Sequence, residues 1–207
     1  LTISAQANVD GELLPQEFVD GSWLLIIFAG NDTSRNSLSG TIRLMNEFPD
    51  QRAMVLEDPT LIPRMSEEAL RMVSPVIHMR RTAVEETEVN GQRIGKDEKV
   101  VLWYGAANRD PDVFVNPDTF DMHRPNVEKH LAFGHGVHKC LGSRIAKMQL
   151  RLAFERIFER FPDIYWTGKQ TIAPNALVHA ISSMQVNLYG KNGRRPTQVA
   201  VPAANSA

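Results

Sequence analysis

The feature that most constrains this chain is its only cysteine, Cys140. It follows a glycine-rich stretch at residues 133–139 and precedes a long amphipathic helical pattern. With one cysteine no disulfide can form within the chain, so packing must hold the fold together, as in proteins of a reducing compartment. We therefore expect a cytoplasmic protein in which one thiolate at a helix N-terminus binds a soft metal.

The composition excludes several classes of protein. The 207 residues are 43% hydrophobic and carry a formal net charge of -1. Such a chain can bury one sizeable core or two small ones, and its charge gives no indication of nucleic-acid binding. The unbroken apolar run from Trp23 to Gly30 is far shorter than the roughly 20 residues that span a bilayer. We expect no nucleic-acid partner, and the sequence shows no membrane segment.

Helical periodicity dominates the first third of the chain. One long helix is predicted from about Pro15 to Phe48, and shorter ones from about 49 to 57 and from 61 to 73. The centre of the long helix is apolar nearly all round, so we expect it to lie inside the protein.

A two-residue period over 76–102, with a turn at Asn90-Gly91, predicts a small sheet, and 108–125 is predicted as an ordered meander. The last helix is predicted over about 141–161. Its buried face should comprise six apolar residues: Ala146, Leu150, Ala153, Phe154, Ile157 and Phe161. The fold class is thus mainly α with a small β sheet, and residues 190–207 are predicted as a loose tail.

Two groups of residues indicate chemistry even when taken alone. Asp32 and Thr33 interrupt an apolar helix, where buried polar groups are costly unless they have partners, so a site is favoured over plain core. Cys140 with His135 and His138 leaves a zinc site open, although the ligand spacing is unusual and no further Cys or His pair completes a tetrahedron. A lone cysteine is otherwise most often a small core residue.

Four groups together resemble the motifs of the cytochrome P-450 superfamily, the heme-thiolate monooxygenases. They are the Phe-x-x-Gly-x-x-x-Cys-x-Gly run at 133–142, the Ala-Gly-x-Asp-Thr run at 29–33, Glu68-x-x-Arg71 with Arg124, and Arg81 with His138. The resemblance covers about Pro15 to Phe161 and implies the C-terminal portion of that fold. It implies a long central helix, a Glu-x-x-Arg helix, a meander, a cysteine loop and a following helix, with residues 1–189 as the heme-binding unit.

The resemblance also implies a role for each matching residue. Cys140 would be the axial ligand of iron in heme b, and Asp32 and Thr33 would deliver protons for dioxygen activation. Glu68, Arg71 and Arg124 would form a structural cluster that fixes the meander. The residues implied in contacts with heme are Ala29, Gly30, Arg81, Phe133, Gly134, His138, Cys140, Gly142 and Ala146.

Three segments are implied around the substrate. Their candidate lining residues are Ile26, Val76, Ile77, Met79 and Ile181. This lining is mostly aliphatic, which favours a small lipophilic substrate such as an alkane, a terpene or a fatty acid. The pattern looks most like the soluble bacterial alkane hydroxylases of the superfamily.

The electron source is expected to be a separate protein. The sequence carries no Gly-x-Gly-x-x-Gly fingerprint for a flavin or a dinucleotide, so a ferredoxin-type donor with its reductase is implied. Four basic residues near the start of the last helix, Lys139, Arg144, Lys147 and Arg151, suggest a docking patch, with a solvated helix face as the equal alternative. Family members are longer than this chain, so an incomplete heme-binding module is the competing hypothesis.

Overall fold

The longest element is a helix that runs through the first quarter of the protein. The computed structural model describes residues 8–191. A short hairpin, β1 (Asn8–Val9) and β2 (Glu12–Leu13), precedes helix α1 (Gln16–Glu47). Pro15 stands before the first turn, and Pro49 follows the last one, so proline marks both ends. The predicted long helix is confirmed.

Two further helices follow without long connections. They are α2 (Pro49–Glu57) and α3 (Ile62–Val73), separated by a 3-10 turn at Pro59–Leu61. Ser74 ends α3 in the left-handed region with φ 43°, and Pro75 prevents the helix from continuing. Both predicted helices are confirmed, and most residues of α3 are buried.

The predicted sheet is present as two separate antiparallel ladders. Strand β3 (His78–Thr82) pairs with β6 (Lys99–Trp103), and β4 (Thr87–Val89) pairs with β5 (Gln92–Ile94). Asn90-Gly91 forms the turn between the last two, with both residues at positive φ. Within residues 8–191 no strand pairing joins the two ladders, and the predicted fold class, mainly α with a small β component, is confirmed.

The remaining chain is a meander, a helix and a hairpin. After the short helix α4 (Tyr104–Ala107), only two 3-10 turns (Val127–Lys129 and Gly136–His138) interrupt irregular backbone before α5 (Ser143–Arg160). Strands β7 (Tyr165–Ile172) and β8 (Ile181–Asn187) form a closing hairpin. The predicted meander and last helix are confirmed.

The core lies where the C-terminal half of α1 meets α3 and α5. At the crossing of α1 and α3, a Cβ atom on Gly40 would lie 2.6 Å from Cγ2 of Val73. Only glycine allows the helices to approach so closely at this point. The main buried cluster comprises Leu44, Met45, Val55, Ile62, Met65, Ala69, Leu70, Met72, Val73, Phe120, Met122, Ala132, Leu150, Phe154 and Phe158.

The centre of α1 contradicts the prediction that it lies inside. Its five consecutive large apolar side chains are between 47% and 71% exposed: Leu24, Leu25, Ile26, Ile27 and Phe28. An apolar pattern indicates that a helix should be packed against other elements on all sides. None of the described elements packs against this part of α1. The apolar stretch is therefore a surface of this chain.

The buried face of α5 is narrower than predicted. Leu150 and Phe154 are buried as expected, and Phe158 joins them, one further turn along the same line. The other predicted members are only partly buried: Ala146, Ala153, Ile157 and Phe161. The difference arises because the neighbouring elements cover α5 along a single i, i+4 row.

Gly190, the first residue of the predicted tail, still contacts the rest of the chain. The amide of Gly190 donates to the carbonyl of Asp163 at 2.8 Å, which ties the end of the last hairpin to the loop after α5. Most of the predicted tail, residues 192–207, lies outside the described residues. Among the helices that are described, none combines the length and apolarity needed to cross a bilayer.

Candidate active site

The loop before α5 folds back on itself and presents Cys140 to solvent. The Cys140 amide donates to the carbonyl of Phe133 at 2.8 Å, which closes the loop over six intervening residues. Gly134 and Gly136 both have φ +68°, a conformation that side chains with a Cβ rarely adopt. Gly134 and Gly136 are thus required by the backbone path, and Cys140 is exposed.

The thiol stands directly ahead of a helix N-terminus. Gly142 is the N-cap residue of α5, and a Cβ atom there would lie 3.9 Å from the Cys140 sulfur. The free N–H groups and the dipole of the first turn favour negative charge at this end of the helix. A thiolate at Cys140 therefore lies in a favourable field.

Exposed apolar side chains lie close to Cys140 in the sequence, on both sides of it. Val137 is 97% exposed and Leu141 92% exposed, and Ile145 is exposed one turn into α5. Large apolar side chains clustered at the surface mark a binding site more often than a bare protein surface. The surroundings of Cys140 suit a flat, apolar ligand.

The side chains near Cys140 indicate whether the site could hold a single metal ion or a metal carried by a cofactor. Among residues 8–191, no three His, Cys, Asp or Glu side chains lie close enough together to hold an ion, and His135 and His138 are exposed. The zinc alternative therefore lacks its ligands. A metal at Cys140 needs its other ligands from a non-protein group, and the four porphyrin nitrogens of a heme meet that need.

Asp32 and Thr33 lie in the middle of α1 and are partly exposed, not buried as predicted. Asp32 Oδ1 lies 3.2 Å from Arg35 Nη2, one turn along the helix. The Thr33 hydroxyl donates to the Ala29 carbonyl at 2.7 Å. The prediction failed for the same reason as for the apolar centre of α1, because nothing in the described chain covers this face. Ala29 and Gly30 are exposed on the same stretch.

One contact brings this part of α1 to the helix that follows Cys140. Ser34 Oγ donates to Gln149 Oε1 at 3.5 Å, at the limit of a hydrogen bond. Gln149 lies one turn beyond Ile145, on the line of α5 that leads back to the cysteine loop. The predicted proton-delivery pair therefore lies on a helix that touches α5, the helix that follows the predicted metal ligand.

The predicted cluster of Glu68, Arg71 and Arg124 is fully assembled and buried. Arg71 donates to both carboxylate oxygens of Glu68, from Nε and from Nη2, at 2.8 Å each. Arg124 Nε lies 3.0 Å and 3.2 Å from the same two oxygens. Glu68 and Arg71 are 0% exposed. Burial of three charges is tolerated because one carboxylate is held by two guanidinium groups.

The same cluster holds the backbone of the meander. Arg71 donates to the carbonyls of Asn108 and Pro117 at 2.7 Å each, and Arg124 donates to that of Val115 at 2.6 Å. Both guanidinium groups also lie over the Phe114 ring, at 5.2 Å and 5.9 Å from its centre. The irregular chain between α4 and the cysteine loop is thereby fixed to α3.

Two of the three predicted substrate segments meet beside α1. Val76 forms an isolated bridge with Val178, and the Ile181 amide donates to Oδ1 of Asn36 at 3.0 Å. Val76, Ile77 and Ile181 are partly buried in this region. Ile26 and Met79 are exposed.

The predicted cationic residues are exposed. Arg81 lies on β3, and its guanidinium donates to the neighbouring Arg80 carbonyl at 3.0 Å. His138 closes the 3-10 turn of the cysteine loop. Both can reach a ligand from the surface, and the structure places them on separate elements.

Sequence reasoning missed two buried asparagines. Asn108 donates to Ser74 Oγ at 2.8 Å and accepts the Leu131 amide at 2.6 Å, so it joins α3 to the start of the cysteine loop. Asn36 is fully buried, and its Nδ2 has no hydrogen-bond partner. The burial of Asn36 could have been predicted from the sequence, because Asn36 lies at i, i+4 spacing with Gly40 and Leu44 on one face of α1.

Comparisons with known proteins agree with this geometry. The family model described as Cytochrome P450 matches residues 59–174. Linalool 8-monooxygenase from Pseudomonas putida is 40% identical over 190 residues, which cover 92% of this chain and 47% of that protein. The methyl-branched lipid omega-hydroxylase of Mycobacterium bovis is 36% identical over 183 residues, covering 87% of this chain and 42% of its own length.

Solved structures give the same result. Cytochrome P450-153 from Novosphingobium aromaticivorans matches with a TM-score of 0.80 and 42% identity, over 89% of this chain and 47% of that one. P450BioI, solved with an acyl carrier protein that bears hexadec-9Z-enoic acid, matches with a TM-score of 0.81 and 35% identity, over 84% and 45%. The chain spans about half the length of these relatives. The chain therefore belongs to the cytochrome P450 family, whose cofactor is heme b.

Proposed function

We propose that this chain is the thiolate-bearing portion of a monooxygenase that places one oxygen atom of O2 into a C–H bond of a small lipophilic molecule. The observation that carries the proposal is the exposed Cys140 thiol in its glycine-rich loop, at a helix N-terminus and amid exposed apolar side chains. When bound through a thiolate, heme supplies the activation of dioxygen.

The residues of the chain have distinct roles in this proposal. Cys140 holds iron, and the ring of Phe133 keeps water from the sulfur. Gly134, Gly142, Gly30, Ala29 and Ala146 keep side chains out of the plane that the macrocycle needs. Arg81 and His138 donate to its carboxylates.

Asp32 and Thr33 would move protons toward the reacting oxygen. Asp32 is partly exposed beside Arg35, so Oδ1 can exchange a proton with water. Thr33 Oγ1 holds a proton that points to the Ala29 carbonyl and can be redirected by rotation about one bond. The two side chains are adjacent on α1, which makes a short relay possible.

The proposed substrate is an alkane, a terpene or a fatty acid. The candidate lining of Ile26, Val76, Ile77, Met79 and Ile181 is apolar, which favours a ligand without charge at this end of the site. Relatives named for linalool, a terpene alcohol, and for methyl-branched lipids support the same class.

We propose a ferredoxin-type donor and its reductase as the electron source, acting in the cytoplasm, as the single cysteine suggests. The basic patch that would dock the donor is weaker than predicted. Lys147 lies 2.5 Å from Glu67, and Arg151 pairs with Glu155 at 3.9 Å. The exposed positive charge near the loop thus rests on Lys139 and Arg144, and Arg144→Glu should slow reduction by the donor more than Arg151→Glu.

The test uses the heme-loaded chain with a ferredoxin, its reductase and NADPH under 18O2. A mixture of an alkane, a terpene and a fatty acid is supplied, and the products are analysed by mass spectrometry. We expect one 18O atom in a hydroxylated product, and Asp32→Asn and Thr33→Ala should lower the product formed per electron consumed. Bound heme without labelled product from any of the three would contradict the proposal and favour the heme-binding module.

A further inference from the structure

Glu67 makes a second set of charged contacts beside the buried cluster. It follows Ser66 on α3 and turns toward α5 and the cysteine loop, whereas Glu68 turns toward the meander. Its Oε2 lies 3.0 Å from Nε2 of His130, and its Oε1 lies 2.5 Å from Nζ of Lys147. One carboxylate therefore joins three elements: α3, the start of the cysteine loop and α5.

The hydrogen bonds of His130 fix which ring nitrogen carries the proton. Nδ1 accepts the backbone N–H of Ala132 at 3.2 Å, so it must present a lone pair. Nε2 then carries the hydrogen and donates it to Glu67. The imidazole is almost entirely buried, with 3% of its side chain exposed, so these two bonds replace its contacts with water.

Phe133 lies against two members of this group. Its ring centre is 5.8 Å from that of His130, and the Lys147 ammonium lies 5.6 Å from the same ring. Phe133 is also the residue whose carbonyl accepts the Cys140 amide at 2.8 Å. A continuous path of contacts thus runs from Glu67 to the backbone of the cysteine.

Glu67 is in the charge state that binds His130 and Lys147 most strongly. Burial alone would raise the pKa of Glu67, but the hydrogen bonds from His130 and Lys147 and the positive charge of Lys147 outweigh it and lower that pKa below its ordinary value. The carboxylate is therefore ionised at neutral pH and attracts both donors.

We propose that Glu67, His130 and Lys147 are positioning residues that hold Phe133, and through it Cys140, in the geometry that presents the thiolate to the cofactor. The inference extends the proposed function, since it concerns the same loop. None of the three touches the thiol, so they act through Phe133. If the three residues instead had a purely structural role, their loss would destabilise the whole fold and would not affect Cys140 more than other residues.

Amide hydrogen exchange of the heme-free chain separates these two roles. We expect Lys147→Met and His130→Leu to speed exchange of the Cys140 amide by about tenfold or more beyond any change at core amides of α3, since local opening exposes a bond that the fold otherwise protects. Lys147→Arg should keep exchange within about twofold of wild type, because its charge can still reach Glu67 and the Phe133 ring.

Arg156→Met provides the matched control. It removes an exposed ion pair with Glu159 from the same helix, away from the loop, and should leave the Cys140 amide unchanged. The proposal is overturned if Cys140 exchange rises only in parallel with Leu70 in α3. Should His130→Leu fail to fold, the partly exposed Lys147 still decides the question through its two variants.

The heme-loaded protein gives the second measurement. With carbon monoxide and reductant, Lys147→Met should lower the share of the red-shifted, thiolate-type Soret band relative to Arg156→Met. An equal share in the two variants contradicts the proposal. If the wild-type chain bound no heme, the proposed function would fail, whereas the exchange experiment would still decide whether these residues position the loop.

Discussion

Two regions near the cysteine loop differ in how many of their side chains find partners within the chain. In the buried cluster around Glu68, each charge has partners and the helices pack closely. At the centre of α1 and on the outer side of the cysteine loop, large apolar side chains face solvent. The first region fixes the meander that leads into the loop, and the second is the side on which a cofactor and substrate would lie.

This difference shows which part of the fold the chain can specify by itself. The support of Cys140 is built from contacts within residues 8–191, so we expect it to form without other segments. The exposed apolar surface can gain stability only from something added to it, such as heme, substrate or further protein. Mutations should therefore have large effects in the first region and small ones in the second when the chain is free of heme.

The largest effect should come from Glu68→Ala. The substitution leaves two buried guanidinium groups without their carboxylate, and we expect the free energy of unfolding to fall by about 3–5 kcal/mol. Urea denaturation followed by circular dichroism measures this, with Glu159→Ala as a control that breaks an exposed pair and should leave the midpoint unchanged. A stable Glu68→Ala protein with a normal heme spectrum would show that the cluster does not support the site.

Two glycines of α1 should respond to alanine with opposite signs. At Gly40 the new Cβ would meet the Val73 methyl groups at 2.6 Å and 2.9 Å, so Gly40→Ala should cost about 1–3 kcal/mol. At Gly30 nothing lies within 4 Å, and Gly30→Ala should stabilise the heme-free chain by about 0.5–1 kcal/mol through helix propensity.

Urea midpoints of the heme-free chain measure both changes. Combining Gly40→Ala with Val73→Ala should restore part of the loss, because the methyl groups in the way are removed. Equal effects at the two positions would mean that the centre of α1 is covered in solution, and would remove the contrast between the regions.

A smaller effect is expected from pH, which should change the stability of the fold through His179, in the loop between β7 and β8. Partial burial, followed by the positive charges of Arg43 and Arg109, lowers the pKa of His179 below its ordinary value of 6.5. The unfolded chain then binds the proton more readily than the folded one. Stability from this source is complete above pH 6.5 and declines as the pH falls below it.

His179→Gln should therefore flatten the dependence of the urea midpoint on pH just below 6.5. The change should be slight, because the side chain is only partly buried and solvent screens the charges. Identical pH profiles for the two proteins would show that Arg43 and Arg109 do not act on His179 in solution.

The sequence predicted the elements of the fold well because their signals are local. Proline at both ends of α1, the Asn90-Gly91 turn and the glycine spacing before Cys140 each depend on a few adjacent residues. The cluster of Glu68, Arg71 and Arg124 was also predicted, but only through the resemblance of the motifs, since an i, i+3 ion pair does not by itself reveal burial.

What could not be predicted depends on contacts between distant segments. The exposure of Leu24 to Phe28 depends on which elements cover α1, and the roles of Asn108 and His130 depend on where the meander crosses α3. Glu67 illustrates the limit, because it resembles any surface glutamate in sequence. Its two donors, His130 and Lys147, lie 63 and 80 positions further along the chain.

The central claim is that Cys140 is the protein ligand of a heme. The direct test compares the absorbance spectra of the wild-type chain and Cys140→Ser, each loaded with heme, reduced and exposed to carbon monoxide. We predict a red-shifted Soret band for the wild type and its loss in Cys140→Ser. The same spectrum for both proteins, or a wild-type chain that takes up no heme, would contradict the account.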